Sequence, residues 1–254
     1  MNIQVSLPYK VPCVYNCKFC CNTTHTQFKG DTLGPIPFAD KLIRELNTHP
    51  YDSIVLTGEN EPLQSLDYVV AILIALPEGM QVELTMRGHK IDILMENYPK
   101  LMKKIRLINF SVVNDGQYNN IAQYMKQSHQ AMKLKKLGIR TRFTFLLTKF
   151  LSPHQVREAV NHNFADEFTL KQLQGDTNWI KKNSSERALR QLLEDNYSLE
   201  QINERFAKFN LLGTPVWWDR DCQNGDDNYV IFRPDGKLYK LWTSKVPMDV
   251  HSND

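Results

Sequence analysis

IQVSLPYKVPCVYNCKFCC, residues 3–21, carries the decisive reading. It opens as an alternating apolar and polar run, the pattern of a strand with one buried face, and that run breaks at Pro8. Four of the chain's five cysteines then fall within nine positions, at Cys13, Cys17, Cys20 and Cys21. A disulfide staple, a zinc knuckle and an iron–sulfur site all use clustered thiols, and the rest of the chain has to separate them.

The 254 residues suffice for one large domain or two small ones, and 42% apolar with 23% charged residues is an ordinary globular balance. A formal charge of +3 is too small to argue for nucleic acid or an anionic membrane. The basic clusters Lys133, Lys135, Lys136 and Lys103, Lys104, Arg106 read as solvated helix faces. The start lacks a basic segment followed by an apolar run, and the most apolar stretch, Tyr68 to Leu76, is about half a membrane span. A cytoplasmic protein with no membrane partner is expected, and there thiols stay reduced. Cys17, Cys20 and Cys21 are also too close to pair comfortably, which leaves Cys222 as the one distant disulfide partner.

Outward from the cysteines, strand-like runs alternate with helix-like runs. Strands are predicted at 3–8, 53–58, 82–88, 105–113, 139–148 and 167–173. Helices are predicted at 38–47, 66–76, 90–97 and 118–137, the last stopped by Gly138. Another starts at Ser152-Pro153, with Gln155 completing a capping box, and Ser198 with Gln201 repeats that spacing. One strand followed by five helix–strand repeats argues for a parallel sheet wrapped by helices, with ligands at the carboxyl ends of the strands. Six strands are too few for a complete eight-stranded barrel, so a partial barrel or an open sheet is expected. Residues 228–242 read as a β-hairpin around Pro234-Asp235-Gly236, appended to the main sheet.

Cys13, Cys17 and Cys20 have the spacing C-x3-C-x2-C. Structural zinc wants four closed ligands, commonly two C-x2-C pairs; no second pair exists, although His25 offers a fourth ligand. A cubane cluster held by three thiolates keeps one iron open, a place for a cofactor or substrate to bind.

This motif, on the loop after the first strand, resembles the signature of the radical S-adenosylmethionine (radical SAM) enzymes, and the resemblance runs from about Ile3 to Gln174. It implies a [4Fe–4S] cluster on Cys13, Cys17 and Cys20 whose open iron is chelated by the amino and carboxylate groups of SAM. It also implies a partial (β/α)6 barrel, here with a C-terminal helical and β-hairpin extension: a core over 1–180 and an extension over 181–254 that carries no second cluster. Phe19 matches the aromatic that lies near the adenine. Thr57-Gly58-Glu59 stands where the family has a Gly-Gly-Glu-like motif for the SAM amino group, with Glu61 as the alternative to Glu59. Thr85 or Arg87, ending the third strand, corresponds to groups facing the carboxylate. Ser111, Asn114 and Asp115, ending the fourth, resemble the residues that reach the ribose. The end of the sixth strand corresponds to the place where the family lays backbone against adenine, and Lys171 and Gln172 there are candidates to face substrate instead. Trp217, Trp218 and the hairpin are candidates for a cover over the barrel mouth. The resemblance further implies an external one-electron reductant of flavodoxin or ferredoxin type.

The expected substrate is a small molecule or a nucleotide derivative, with a peptide or protein, including glycyl-radical activation, as the alternative. A non-catalytic iron–sulfur or zinc module is the reading from a different class. Asp219, Asp221, Asp226 and Asp227 read as a solvated acidic loop, or as a site for a cationic substrate group.

Overall fold

The computed structural model describes residues 1–8, 13–15, 17, 19–20, 31–58, 61–117, 120–173, 178–194, 198–220, 229–240 and 246–248. Cys21, His25, Glu59, Asp221, Cys222, Asp226 and Asp227 lie outside these residues.

In chain order, strand β1 (Asn2–Leu7) is followed by helix α1 (Pro35–Thr48), β2 (Ser53–Gly58), a 3-10 turn (Pro62–Ser65) and α2 (Leu66–Ala75). Then come β3 (Val82–Met86), α3 (Ile91–Asn97), α4 (Pro99–Met102), β4 (Ile105–Val112), α5 (Asn120–Lys136), β5 (Arg140–Leu147), α6 (Pro153–Asn161) and β6 (Glu167–Gln172). The remainder holds α7 (Asn178–Asn183), α8 (Arg187–Leu193), β7 (Glu200–Gln201), β8 (Phe206–Leu211), β9 (Thr214–Asp219), β10 (Tyr229–Phe232) and β11 (Leu238–Tyr239). The protein is a mixed α/β fold whose strands pair mostly in parallel, and all six predicted strands of the repeating part are present.

Two compact units divide the chain. Met1–Asn16, Cys20–Leu107 and Gly225–Asp254 form the first, and Cys17–Phe19 with Ile108–Asn224 the second. In the first, β1 pairs in parallel with β2, and β2 with β3. Alternate residues Ile3, Val5, Leu7, Ile54, Leu56, Val82, Leu84 and Met86 are buried, and Phe38 of α1 meets Tyr68 edge-on and Phe232 at a tilt, with ring centroids 5.7 and 5.2 Å apart. The expected hairpin is appended here: β10 adds to β1 in parallel and β11 folds back on β10. Its turn needs Gly236, which sits at φ +73°; a Cβ there would lie 2.5 Å from Lys41 Cδ and 2.8 Å from Leu33 Cδ1.

In the second unit the strand order is β4-β5-β6-β9-β8-β7. Strands β5, β6 and β9 run parallel, whereas β8 and β9 form an antiparallel hairpin. The core is built around Phe143, fully buried, with Phe110, Tyr124, Phe145 and Phe168 edge-on to its ring. Helix α5 stops where Gly138 was expected to stop it: Ile139 N–H donates to Leu134 O and Gly138 N–H to Lys135 O, the two bonds of a left-handed glycine cap.

Two local expectations are corrected. Helix α6 starts at Pro153 as predicted, but the Ser152 side chain makes no capping hydrogen bond; Gln155 N–H donates to the Ser152 carbonyl instead. The second capping-box match, Ser198 with Gln201, starts no helix, because Gln201 belongs to β7. Asn203 diverts the chain: its side-chain oxygen accepts from Arg205 and Phe206 N–H at 2.9 and 2.6 Å, turning the backbone into β8.

Candidate active site

In the first unit the strand ends build a small polar constellation. Strand β2 ends at Gly58, and three residues later Glu61 is 4% exposed. Its carboxylate accepts from Arg87 N–H at 3.0 and 2.9 Å and from His89 N–H at 3.0 Å, with Gly88 N–H as a third backbone donor. This is a nest of backbone N–H groups at the end of β3, made possible by Gly88 at φ +97°. Burial pushes the Glu61 carboxyl up to about 7, while the backbone donors and the nearby Arg87 charge pull it down. Glu61 therefore ties the end of β2 to the end of β3.

The same corner holds the cysteine loop. Val14 N–H donates to Gln64 Oε1 at 3.2 Å, and Tyr15 Oη donates to the Arg87 carbonyl at 3.3 Å. The Arg87 guanidinium lies 4.2 Å from the centre of the Tyr15 ring, a cation–π contact. Ser65 Oγ donates to the Pro8 carbonyl where the loop leaves β1. Residues from the ends of β2 and β3 thus clamp the backbone around Cys13. Arg87, expected to face a carboxylate, also has this structural task. Thr85 is half-buried two residues before it, on the same face of β3.

In the second unit Phe19 is the informative residue. It packs against Val113, Leu146, Leu173 and Ile180, which stand at or just beyond the carboxyl ends of β4, β5 and β6 and in α7. Trp179 flanks it, ring centroids 5.4 Å apart. The aromatic before Cys20 is therefore seated at the strand ends, where the sequence placed the ligand. Asn114 and Asp115 form the turn after β4. Asn114 Nδ2 donates to Phe150 O at 2.8 Å, and its Oδ1 accepts from Gly116 N–H at 3.3 Å; Asp115 Oδ1 accepts from Asn120 Nδ2 at 2.8 Å. Ser111 is half-buried on β4, and its carbonyl accepts from Gln127 Nε2 at 3.0 Å. At the end of β6, Gln172 donates to Ser184 Oγ at 2.9 Å and lines a cavity with Ser184 and Arg187, while Lys171, on the other face of the strand, lines a different one.

Asp219 departs from the expected solvated loop. It ends β9, is 5% exposed, and is forked by Arg205 at 2.8 and 3.2 Å. Trp217 lines the cavity beside it, while Trp218, on the other face of β9, carries the Arg220 guanidinium 4.5 Å from its ring. Arg142, Thr144, Asn109 and Arg205 were not singled out from sequence. Their signal was the alternation of polar with apolar residues along RTRFTFLL and its neighbours, read there as strand and not followed to the polar face.

Cys13, Cys17 and Cys20 are half-buried thiols, none in a disulfide. Among the described residues no three His, Cys, Asp or Glu side chains are grouped to hold a metal ion. The donor set itself suits a cluster with one open iron: three thiols at C-x3-C-x2-C, on a loop held by the Val14 backbone N–H and the Tyr15 side chain. No described helix is long and apolar enough to cross a membrane.

No family model matches the chain, and no curated protein does. Among solved structures, the crystal structure of SuiB from Streptococcus suis aligns with a TM-score of 0.63 at 14% identity, covering 94% of this chain and 60% of SuiB. The chain thus spans less than two thirds of SuiB's length, and at this identity the likeness is one of fold.

Proposed function

We propose that the chain is a radical SAM enzyme built on a partial (β/α)6 barrel, acting on a small-molecule or nucleotide-derived substrate. The observation that carries this is the C-x3-C-x2-C loop directly after β1 of a mostly parallel α/β fold, with Gly58 closing the next strand. The fold likeness to SuiB is consistent with the mostly parallel α/β architecture this reading needs.

In this reading Cys13, Cys17 and Cys20 hold a [4Fe–4S] cluster. When bound, the cluster and SAM, with an external flavodoxin- or ferredoxin-type reductant, supply one-electron cleavage of the sulfonium and a 5′-deoxyadenosyl radical. The protein's own residues position and shield. Gly58 and Glu59 orient the SAM amino group, Thr85 and Arg87 serve the carboxylate side, Ser111 and Asn114 the ribose, and Phe19 the adenine. Glu61 acts indirectly, by fixing the turn that carries Arg87. Tyr15 and Gln64 keep the cysteine loop in place against the strand ends.

The test is anaerobic reconstitution with iron and sulfide, addition of SAM and dithionite, and chromatography for 5′-deoxyadenosine, with Cys17→Ala as control. Product from the wild type and none from the variant supports the proposal. A loaded cluster without 5′-deoxyadenosine in the presence of candidate substrates refutes it in favour of a binding or electron-transfer module.

A further inference from the structure

The polar face of the second unit's sheet carries a cavity of about 370 Å³, at the lower end of ligand-pocket sizes. Strand pairing assembles it. Thr144 lies opposite Thr169, Thr169 opposite Trp217, Lys171 opposite Asp219, and Asp219 opposite Phe206, so all share one face. The opposite face of the same strands is the Phe143, Phe145, Phe168, Leu170 and Val216 core.

Charge on this face is unbalanced. The cavity is lined by Arg142, Lys171 and Arg205 against one carboxylate, Asp219. Arg142 is satisfied by Glu167, with Nε and Nη2 at 2.7 and 2.5 Å from Oε2. Arg205 takes both oxygens of Asp219. Lys171 Nζ stands 3.7 Å from Asp219 Oδ2, within ion-pair range but beyond a hydrogen bond. One buried carboxylate is therefore shared between two cations, and the surplus positive charge sits on a flexible ammonium. Trp217 and Phe206 supply flat walls, and Thr144, whose hydroxyl donates to Asn109 Oδ1 at 2.7 Å, supplies polar ones.

We infer that this cavity binds a small planar molecule bearing an oxyanion, a carboxylate or a phosphoryl group, with Lys171 as the principal contact and Trp217 against the plane. The volume admits about a dozen waters' worth of ligand, enough for one ring and its anionic group but not for a folded polypeptide segment. The inference deepens the proposed function by giving the substrate a chemical class, and it rests on that reading only for the ligand's role as substrate. It reverses the sequence-based idea of a cationic group facing Asp219, since Arg205 and Lys171 already occupy that carboxylate.

The test needs neither cluster nor reductant. The full chain is titrated with benzoate, phenyl phosphate and neutral benzamide by calorimetry, with tryptophan fluorescence in parallel. At least one anion is expected to bind saturably and at least about tenfold more tightly than benzamide. Lys171→Gln is expected to weaken the anion about tenfold and leave benzamide unchanged, and Lys171→Arg to restore most of the affinity. The better anion identifies the group as carboxylate or phosphoryl. Equal binding of benzamide, an unaltered Lys171→Gln variant of unchanged thermal midpoint, or no saturable anion binding into the millimolar range overturns the inference. Because SAM cleavage is assayed separately, failure of one result leaves the other standing.

Discussion

Replacing Glu61 by Gln should change how stability depends on pH, in a direction fixed by the burial of this carboxyl. Its pKa in the folded chain rises from 4.5 to about 7 because desolvation outweighs the backbone donors of the β3 nest. A carboxyl raised on folding binds its proton more tightly in the native state. Its contribution is therefore fully present below the unfolded value and is lost as pH climbs through the folded one. Between pH 4.5 and about 7 that loss amounts to about 3 kcal/mol at about 1.4 kcal/mol per pH step. Glutamine keeps a carbonyl oxygen to accept from the nest and does not titrate. Glu61→Gln should thus gain up to about 3 kcal/mol relative to wild type between pH 5 and pH 8. Urea unfolding of the two proteins under thiol-protecting anaerobic conditions, at one-unit steps, measures this difference. A constant difference across that range would refute the reasoning. A wild type that gains on the variant as pH rises would show that the three N–H donors, not burial, set the ionisation.

Other outcomes follow from single contacts. Phe143→Ala, at the centre of four edge-on rings, should cost about 3–5 kcal/mol in urea unfolding. Gly236→Ala should lower the thermal midpoint more than Gly138→Ala: both glycines have φ near +75°, but a Cβ at 138 meets nothing within 4 Å, whereas at 236 it meets Leu33 and Lys41. The shared backbone strain is about 1–2 kcal/mol, and the excess at 236 reports the contact. Tyr15→Ala should reduce iron retained after reconstitution while leaving the apo-protein's midpoint within a few degrees, and Tyr15→Phe should fall between, since the ring over which Arg87 sits survives.

The repeating part of the fold was legible because its strands are short, apolar at alternate positions and bounded by breakers such as Pro8, Gly88 and Gly138. The β8–β9 hairpin was not. Its turn is Leu212-Gly213, with φ of +53° and +81°, a two-residue turn that sequence usually announces with Asn or Asp in the first position. Leucine there hides the signal, and the charged run before it mimics a helix. At the site, the cysteine spacing and Phe19 could be read directly because they are local. The nest around Glu61 could not, since it joins residues 26 and 28 positions apart through backbone N–H groups that no side-chain pattern encodes. Arg205 and Asp219, 14 residues apart, meet only because an unrecognised hairpin sets Asp219 opposite Phe206, the neighbour of Arg205.

Parallel strands are usually apolar on both faces, because both are covered. Strands β5 and β6 break that habit: RTRFTFLL and EFTLKQ place Arg142, Thr144, Glu167, Thr169 and Lys171 on one face, with phenylalanines and leucines on the other. A polar face freely open to water would leave these side chains largely exposed, yet Thr144 is 6% exposed and Asp219 of the neighbouring strand 5%. Half-buried polar groups that are paired with one another cost desolvation without the return of a close-packed core. The inferred oxyanion ligand would supply that return, so the proposed substrate is to be sought first on the floor of this cavity, at Lys171.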